Sequence, residues 1–431
     1  MDDQGSKETR GAIPACIERP DDDRSITDVS PPVSPREPMP CIDRAYPTSD
    51  YRSEDSMTEQ SASPHAPFFR SFPFGRTTLR NRIVMAPMTR NRSPGGIPGQ
   101  DVADYYRRRA QGGVGLIVTE GTYIDHPAAN GYANVPAFFG EAALAGWARV
   151  VEAVHDAGAC IVPQLWHVGA IRRPGAEPDR SVPGVGPMTV VDNGVTVVEA
   201  LDDAEIAEIV ASYARAAADA RRIGFDGVEI HGAHEYLIDQ FLWDTTNRRT
   251  DAYGGNIANR TRLASEIVRA VKRATSIDFP VMFRFSQWKI RDYDARIAHS
   301  PADLEQILLP LVEAGVDIFH VSTRRYLDPA FPGSPDSLAV WTRRLSGKPV
   351  VCVGSVALNK AYAIAQLRGA EDPRAELADL DPVENQLRRE EVDLVALGRP
   401  LLADPDWPSK VRENRLAEIR AFDRDAMLTS V

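Results

Sequence analysis

The chain has 431 residues, 43% of them hydrophobic and 26% charged, a composition that supports a large globular core. Its 61 acidic residues outnumber its 50 lysines and arginines, and the formal net charge of −11 argues against a nucleic-acid-binding protein. It has no apolar run of the roughly 18 residues that a membrane helix needs, and its four dispersed cysteines exclude a disulfide scaffold and a sequence-readable zinc or iron–sulfur site.

Residues 1–66 differ in composition from the rest of the chain. They are rich in proline, aspartate, serine and arginine, and their only aromatic residues are Tyr46 and Tyr51. Such a segment cannot bury enough apolar surface to offset the entropy lost on ordering, so we predict a disordered N-terminal extension. Residues 67–431 are predicted to form a single domain. We expect a cytoplasmic protein, because the cysteine usage fits a reducing compartment.

From about residue 67, short runs of β-branched and aliphatic residues alternate with longer segments whose apolar residues have helical spacing. One such segment places Ile206, Ile209 and Tyr213 on one face of a helix. Asp202 and Ser300 are suitable N-caps for two of these helices. Strands are predicted at residues 82–85, 115–119, 160–164, 227–231, 281–284, 317–321, 349–353 and 393–397.

Eight strands that alternate with helices over about 365 residues predict an α/β protein with a (β/α)8 TIM barrel. A doubly wound open sheet would alternate in the same way. A dinucleotide-binding sheet, however, would carry the pattern G-x-G-x-x-G after its first strand, and the segment Met85–Thr89 contains no glycine. We therefore predict one barrel, preceded by the disordered extension.

The catalytic groups of such a barrel lie at the C-terminal ends of its strands and in the loops that follow them. Polar residues and glycines stand at these positions, whereas aliphatic residues fill the strands. The predicted strand exits are Pro87–Arg90, Glu120–Thr122, Gln164–His167, His231–Tyr236, Arg284–Ser286, His320–Arg324, Gly354–Ser355 and Gly398–Pro400. This distribution predicts an active site at that end of the barrel.

The last two strand exits predict a phosphate site. Loops seven and eight of a barrel commonly bind phosphate through backbone N–H groups. Gly354 and Gly398 allow a close approach of the backbone, and Arg399 offers a guanidinium that suits bidentate binding of phosphate. Together these residues predict a phosphorylated ligand.

The exit of the fourth predicted strand holds His231, His234 and Tyr236. A metal-binding pair of histidines would need further carboxylate, histidine or cysteine ligands. The nearby candidates are Glu229, inside the strand, and Glu235, whose direction the sequence does not give. Two imidazole donors directed at one oxyanion, with a phenol as the acid beside them, fit the pattern better.

The motifs at these exits resemble those of the Old Yellow Enzyme family of FMN-dependent ene-reductases. The similarity runs from about Phe68 to Lys410, and its motifs follow one another in the family's order. They are Asn81–Arg90, Gln164–His167, His231–Leu242, Asn247–Arg260, Arg284 and Leu397–Pro405. The resemblance implies a TIM-barrel enzyme with FMN as its cofactor and NADPH or NADH as its hydride donor.

The resemblance also implies roles for individual residues. Those that would contact the flavin ring are Pro87, Met88, Thr89, Gly121, Gln164 and Arg284, and those that would hold its phosphate are Gly354, Ser355, Gly398 and Arg399. His231 and His234 would bind the carbonyl or nitro oxygen of an activated alkene. Tyr236 would protonate that alkene, and Trp166 would form part of the pocket wall.

The implied reaction is the NAD(P)H-dependent reduction of the C=C bond in α,β-unsaturated carbonyl or nitro compounds. A redox-neutral isomerase or a dehydrogenase on the same FMN barrel is the alternative, and net consumption of nicotinamide separates the two. A barrel that has lost FMN and acts as a binding protein is a third reading, disfavoured by the complete set of implied flavin contacts. The expected partner is a small-molecule alkene, not a nucleic acid or a membrane, in a monomer or homodimer.

Two segments depart from the family's pattern. After Arg284 the chain reads Phe-Ser-Gln-Trp-Lys289, where many relatives continue with Ser-Pro. The segment Arg324-Arg325-Tyr326 has no clear counterpart in the best-known branch of the family. These loops follow the fifth and sixth predicted strands and would shape the pocket, so we expect the departures to affect the substrate range more than the chemistry.

Overall fold

The computed structural model describes residues 64–361 and 375–423. We predicted disorder for residues 1–66. All of these residues except the last three lie outside the part of the chain that the structure describes. The strands are β1 (Phe72–Phe74), β2 (Thr77–Leu79), β3 (Ile83–Met85), β4 (Leu116–Tyr123), β5 (Cys160–Trp166), β6 (Gly184–Gly186), β7 (Val190–Asp192), β8 (Val195–Ala200), β9 (Val228–Gly232), β10 (Val281–Ser286), β11 (Ile318–Ser322), β12 (Val350–Val353) and β13 (Leu394–Leu397). The α-helices are α1 (Gln100–Gln111), α2 (Glu141–Asp156), α3 (Asp203–Arg222), α4 (Leu237–Leu242), α5 (Ile257–Ala274), α6 (Pro301–Ala314), α7 (Leu338–Ser346), α8 (Asp381–Arg388), α9 (Arg399–Ala403) and α10 (Trp407–Arg412).

Eight strands within these ranges form a closed parallel barrel. Around the barrel they follow in chain order as β3, β4, β5, β9, β10, β11, β12 and β13, and β13 pairs with β3 to close it. Each predicted run overlaps one of these strands, and their starts agree to within a residue. The predicted (β/α)8 TIM barrel is therefore confirmed, and the C-terminal ends of all eight strands lie at the same end of it.

Helices α3 and α6 begin at residues whose side chains cap them. Asp202 accepts a hydrogen bond from the Glu205 amide at 2.8 Å, and the Glu205 carboxylate accepts one from the Asp202 amide at 2.8 Å. This reciprocal pair satisfies amides at the start of α3 that have no partner within the helix. Ser300 caps α6 by accepting the Asp303 amide at 3.1 Å. Both predicted helix starts are confirmed.

Apolar side chains fill the barrel interior as well as the layer between the barrel and its helices. The antiparallel hairpin β1–β2 completes the inner cluster, because Phe72, Phe74 and Leu79 are buried and pack within it. The hairpin lies beside Pro280 and Pro349, which immediately precede β10 and β12. It therefore closes the N-terminal end of the barrel and leaves the C-terminal end for the site.

A small three-stranded sheet lies between β5 and α3 in the chain. Its strand β8 pairs in parallel with β6 and antiparallel with β7. Val190, Val191 and Val195 are exposed on this sheet. The sequence analysis did not predict these strands. Strands β6 and β7 have only three residues each, and in the six-residue β8 only Val198 is buried, so none of them shows the alternation of a half-buried strand.

Two cysteines lie within the described residues. Cys160 is in β5 and Cys352 is in β12, and both are buried without a disulfide. Burial raises the pKa of each thiol to about 12, so both remain protonated at neutral pH. No helix in the same ranges is long and apolar enough to cross a membrane.

Candidate active site

Two histidines and a tyrosine at the end of β9 lie close together. His231 is in β9, His234 is in the turn that follows, and Tyr236 immediately precedes α4. The ring centroids of His231 and His234 are 5.1 Å apart, and those of His231 and Tyr236 are also 5.1 Å apart. The structure thus brings together the two imidazoles and the phenol that the sequence had grouped.

The register of the barrel explains why further polar groups lie beside them. His231 in β9 is the partner of Arg284 in β10, which is the partner of His320 in β11. The three residues therefore lie side by side at one level of the barrel. Because side chains alternate along a strand, Glu229 points to the same face as His231, two residues earlier.

Glu229 links His320 to Gln164 by hydrogen bonds. Its carboxylate accepts the Gln164 amide at 2.7 Å and the His320 Nδ1–H at 2.6 Å. Burial alone would raise the pKa of Glu229, but the neighbouring His320, Arg284 and Gln164 together hold it below its usual value. Glu229 is therefore ionised beside the cationic Arg284.

Some of these buried groups lack partners. Arg284 is 6% exposed, and its Nε–H has no hydrogen-bond partner among residues 64–361 and 375–423. Within the same ranges the Nε2 atom of His320 is also without a partner. An unsatisfied buried donor or acceptor costs about 1–3 kcal/mol. The cluster therefore fits a bound polar ligand that supplies the missing partners.

Burial sets the protonation states of the three residues at the end of β9. It lowers the pKa of His231 and that of His234 well below 6.5, and the nearby Arg284 guanidinium lowers both further. It raises the pKa of Tyr236 well above 10, and Tyr132 raises it further. At neutral pH both imidazoles are uncharged and the phenol keeps its proton.

Tyr236 is held by two other aromatic residues. Its ring meets Trp166 edge-on with the centroids 4.8 Å apart, and its hydroxyl lies 3.3 Å from that of Tyr132. Tyr132 stacks on Trp166 at 5.5 Å between centroids. Trp166 itself is buried, with 2% of its surface exposed. The sequence analysis did not identify Tyr132, which lies in a loop without periodicity.

A buried ion pair fixes the turn that carries His234. Lys289 and Asp239 are fully buried, and the Lys289 Nζ lies 2.7 and 2.8 Å from the two carboxylate oxygens. One of these oxygens also accepts the Glu235 amide at 2.6 Å. His234 and Glu235 have φ angles of 63° and 68°, which residues other than glycine rarely adopt. The pair thus stabilises a backbone conformation that is otherwise unfavourable.

The ends of β10 and β11 and the loop after β10 hold the backbone and the ring of His234. Its amide donates to Ser286 Oγ at 3.1 Å, and its Nε2 lies 2.8 Å from Ser322 Oγ. Its ring stacks on Trp288 with the centroids 4.3 Å apart. Trp288 and Lys289 belong to the segment that departs from the family's pattern, so this segment contributes directly to the site. Sequence reasoning had not given either residue a role.

A cavity of about 280 Å³ lies at the ends of β12 and β13. Its lining includes Met88, Ser355, Gly398 and Arg399, which the sequence had assigned to the cofactor. Arg399 donates a hydrogen bond to Ser355 Oγ at 3.3 Å. Gly354 has a φ of 148°, and a Cβ there would lie 2.6 Å from a backbone carbonyl oxygen, so the position requires glycine.

The other residues assigned to the cofactor lie at the same end of the barrel. Pro87 and Thr89 follow β3, the first half-buried and the second exposed. Gly121 in β4 is the partner of Gln164 in β5. A Cβ at Gly121 would lie 2.6 Å from the indole of Trp166, so this glycine permits the tryptophan to pack closely.

His231 is oriented as a hydrogen-bond donor. His231 Nδ1 accepts the Ala233 amide at 3.3 Å, which leaves the proton of the neutral ring on Nε2. Among the described residues, no group of three or more His, Cys, Asp or Glu side chains is placed to hold a metal ion. The site therefore offers a neutral imidazole donor at His231 and a protonated phenol at Tyr236.

Comparison with known proteins identifies the class. The model of the NADH:flavin oxidoreductase / NADH oxidase family matches residues 67–372. An NADH oxidase of Thermoanaerobacter brockii is 36% identical over 355 residues, which are 80% of this chain and 50% of that relative. The chain thus spans about half the length of that protein. Chanoclavine-I aldehyde reductase fgaOx3 of Penicillium roqueforti is 35% identical over 353 residues, with 80% of this chain and 88% of the relative covered.

Comparison with a solved structure supports the same family assignment. Morphinone reductase in complex with tetrahydroNAD superposes with a TM-score of 0.68 at 31% identity, covering 84% of this chain and 93% of the other. The chain belongs to the NADH:flavin oxidoreductase / NADH oxidase family, and the resemblance to the Old Yellow Enzymes is confirmed. FMN is the cofactor of this family, and a nicotinamide nucleotide is the hydride donor.

Proposed function

We propose that the protein reduces the activated C=C bond of α,β-unsaturated carbonyl or nitro compounds with hydride from NADPH or NADH. The observation that carries this proposal is the grouping of two neutral imidazoles and a protonated phenol at the barrel end that also holds Arg284. Chanoclavine-I aldehyde reductase and morphinone reductase are named as reductases, which supports a reduction.

The polar end of the barrel fits FMN. The phosphate would be held by Ser355, Gly398 and Arg399, which line one cavity, and by Gly354 beside them. The ring would contact Pro87, Met88, Thr89, Gly121, Gln164 and Arg284. Bound FMN supplies the ability to accept a hydride from a nicotinamide and to donate it to an alkene. Arg284, whose Nε–H lacks a partner among the described residues, would stabilise the negative charge of the reduced ring.

His231 and His234 would bind the oxygen atom of the substrate. The His231 Nε2–H is the clearer donor, because Nδ1 already accepts a backbone amide. Ser286, Ser322 and Trp288 already hold His234 in one orientation. Substrate binding would therefore not cost the entropy of ordering this ring. Neutral donors of this kind stabilise the negative charge that develops on a carbonyl or nitro oxygen during the reaction.

Tyr236 would deliver the proton. Its pKa lies well above 10 because the ring is buried, so the hydroxyl is protonated throughout the neutral pH range. The hydroxyl of Tyr132, 3.3 Å away, offers a route by which Tyr236 could be reprotonated. A protonated phenol next to two oxygen-binding imidazoles suits protonation of the alkene's α-carbon.

Deuterium labelling tests this function. The holoprotein would reduce cyclohexenone with NADPH in deuterium oxide, and the product would be examined by mass spectrometry. We expect cyclohexanone with one solvent deuterium at the α-carbon, and one nicotinamide oxidised for each enone consumed. Conversion of an alkene without nicotinamide oxidation would instead identify an isomerase. Oxidation of NADPH by oxygen alone, with the enone unchanged, would identify an oxidase.

A further inference from the structure

The buried carboxylate of Glu229 contacts a residue that would hold the flavin ring. Glu229 lies in β9 and is fully buried. One of its oxygen atoms accepts the Gln164 amide at 2.7 Å, and the other accepts the His320 Nδ1–H at 2.6 Å. Gln164 and Arg284 are proposed contacts of the ring, whereas Glu229 has no part in the proposed reaction. It therefore lies behind the cofactor's contacts and would act on the cofactor together with them.

The carboxylate fixes the direction of the Gln164 amide. Because Glu229 is ionised, it can only accept hydrogen bonds, so the amide nitrogen of Gln164 must face it. The amide oxygen of Gln164 then lies on the other side of that group. An amide that could turn over would exchange its donor and its acceptor toward the ring that Gln164 is proposed to contact. Glu229 thereby determines which of the two atoms the cofactor would meet.

Glu229 also balances the charge of Arg284. The two residues lie on the paired strands β9 and β10. Burial lowers the pKa of Arg284, and the negative charge of Glu229 opposes this change. The two oxygen atoms of Glu229 accept from Gln164 and His320, and the Arg284 Nε–H has no partner among the described residues. Arg284 is therefore a balanced charge that keeps a donor for a ligand.

We propose that Glu229 is a positioning residue that sets the reduction potential of the bound FMN through Gln164 and Arg284. The inference rests on the proposed function, because it takes Gln164 and Arg284 as contacts of the flavin ring. A hydride delivers two electrons and one proton, so the ring gains one negative charge on reduction. Arg284 favours that charge, and the carboxylate of Glu229 opposes it. Glu229 thus limits how strongly the site retains the electrons, so that they can pass to an alkene.

The midpoint potential of the holoprotein tests this role. The bound FMN is reduced slowly with dithionite beside a dye of known potential, so that neither nicotinamide nor alkene is needed. Glu229→Gln removes the charge from a side chain of nearly the same shape. We expect the affinity for reduced FMN, relative to that for oxidised FMN, to rise roughly tenfold, the effect of a charge that shifts an ionisation by one pKa unit. For a two-electron couple this is a rise of about 30 mV.

Three further variants separate the charge of Glu229 from its hydrogen bonds. Glu229→Asp keeps the charge on a shorter side chain, so the potential should stay near that of the wild-type protein while FMN binds more weakly, because Gln164 is no longer held. Arg284→Gln should lower the potential. Glu384→Gln is the matched control, because it makes the same change at a buried carboxylate of α8 that is paired with His65. It should leave the potential unchanged.

A wild-type potential in Glu229→Gln, or an equal rise in Glu384→Gln, would overturn the proposal. If Glu229→Gln does not fold, the double variant Glu229→Gln/Arg284→Gln leaves neither charge buried alone and tests the same point. Its potential should exceed that of Arg284→Gln, and equal potentials would overturn the proposal.

The same titration separates this role from the proposed reaction. A protein whose potential responds as expected, but which leaves cyclohexenone unreduced, would keep the role of Glu229 and lose the proposed function. A protein that reduces cyclohexenone, and whose potential does not respond to Glu229→Gln, would keep the proposed function and lose the role of Glu229.

Discussion

The two ends of the barrel are built from the same eight strands but bury different kinds of side chain. At the N-terminal end the hairpin residues Phe72, Phe74 and Leu79 complete an apolar cluster. At the C-terminal end Glu229 and Arg284 are buried together, and Arg284 keeps an Nε–H without a partner within residues 64–361 and 375–423. Apolar burial stabilises the fold, whereas unsatisfied polar groups lower stability until a ligand binds them. Substitutions at the two ends should therefore have separable effects.

The largest expected effect is that of Tyr236→Phe at the polar end. Removal of a general acid commonly slows a reaction by roughly 10² to 10⁴. We expect oxidation of the reduced holoprotein by cyclohexenone to slow by this factor, while its reduction by NADPH changes little. Stopped-flow absorbance of each half-reaction measures this. Equal slowing of both half-reactions would remove Tyr236 from its proposed role.

The next effect tests the buried ion pair at the polar end. Lys289→Met leaves the Asp239 carboxylate buried without its counter-ion, and we expect a loss of about 3–5 kcal/mol in the free energy of unfolding. Urea denaturation measures it. The double variant Lys289→Met/Asp239→Leu removes both charges and should recover most of that stability.

The same double variant separates stability from positioning. It no longer offers the carboxylate that accepts the Glu235 amide, so the turn carrying His234 should loosen. We expect the KM for cyclohexenone to rise although the protein is stable. Full stability together with a wild-type KM would show that the ion pair does not position His234.

Leu79→Ala tests the apolar end. The side chain is 1% exposed, and its truncation should lower the free energy of unfolding by about 2–5 kcal/mol. The FMN spectrum and both half-reaction rates should stay as in the wild-type protein below the unfolding temperature. A variant that lost FMN without losing stability would contradict the separation of the two ends.

The smallest effect is a pH dependence of stability. Burial lowers the folded-state pKa of His231 and that of His234 well below the unfolded value near 6.5. The unfolded chain therefore binds protons more readily than the folded chain does. The part of the free energy of unfolding that depends on these two neutral histidines is present above pH 6.5 and is lost as the pH falls. Between pH 6.5 and 5.5 each histidine should contribute a loss of about 1 kcal/mol.

Denaturation midpoints across this pH range check the last prediction. The variant His231→Asn should show a smaller decrease in stability between pH 6.5 and 5.5 than the wild-type protein. Leu79→Ala is the control, because it lowers stability at every pH without removing a titrating group. Identical pH dependences for His231→Asn and the wild-type protein would mean that His231 is not buried as a neutral group.

The barrel could be predicted because its strands are local features of the sequence. Runs such as Val281–Arg284 combine β-branched or apolar residues with clear boundaries, and all eight were found. The hairpin β1–β2 was not, since two three-residue strands carry no period and owe their stability to the barrel that they close. Most of the N-terminal extension lies outside the described residues, so its disorder remains a prediction.

The candidate site was only partly predictable. His231, His234 and Tyr236 are close in sequence, so one strand exit brings them together. Tyr132 and Lys289 come from distant loops and reach Tyr236 and the His234 turn only through the closure of the barrel. From the sequence alone, a lysine that follows a strand is expected to be a charge on the surface. The structure shows instead that Lys289 is buried against the Asp239 carboxylate.

We propose that the polar end of the barrel passes hydride from a nicotinamide to an activated alkene through FMN. The most direct test is the visible spectrum of the purified protein without oxygen, recorded before and after NADPH and again after cyclohexenone. We predict flavin absorbance that bleaches with NADPH and returns with the enone. A protein that shows no flavin absorbance, even after FMN has been added, would contradict the claim.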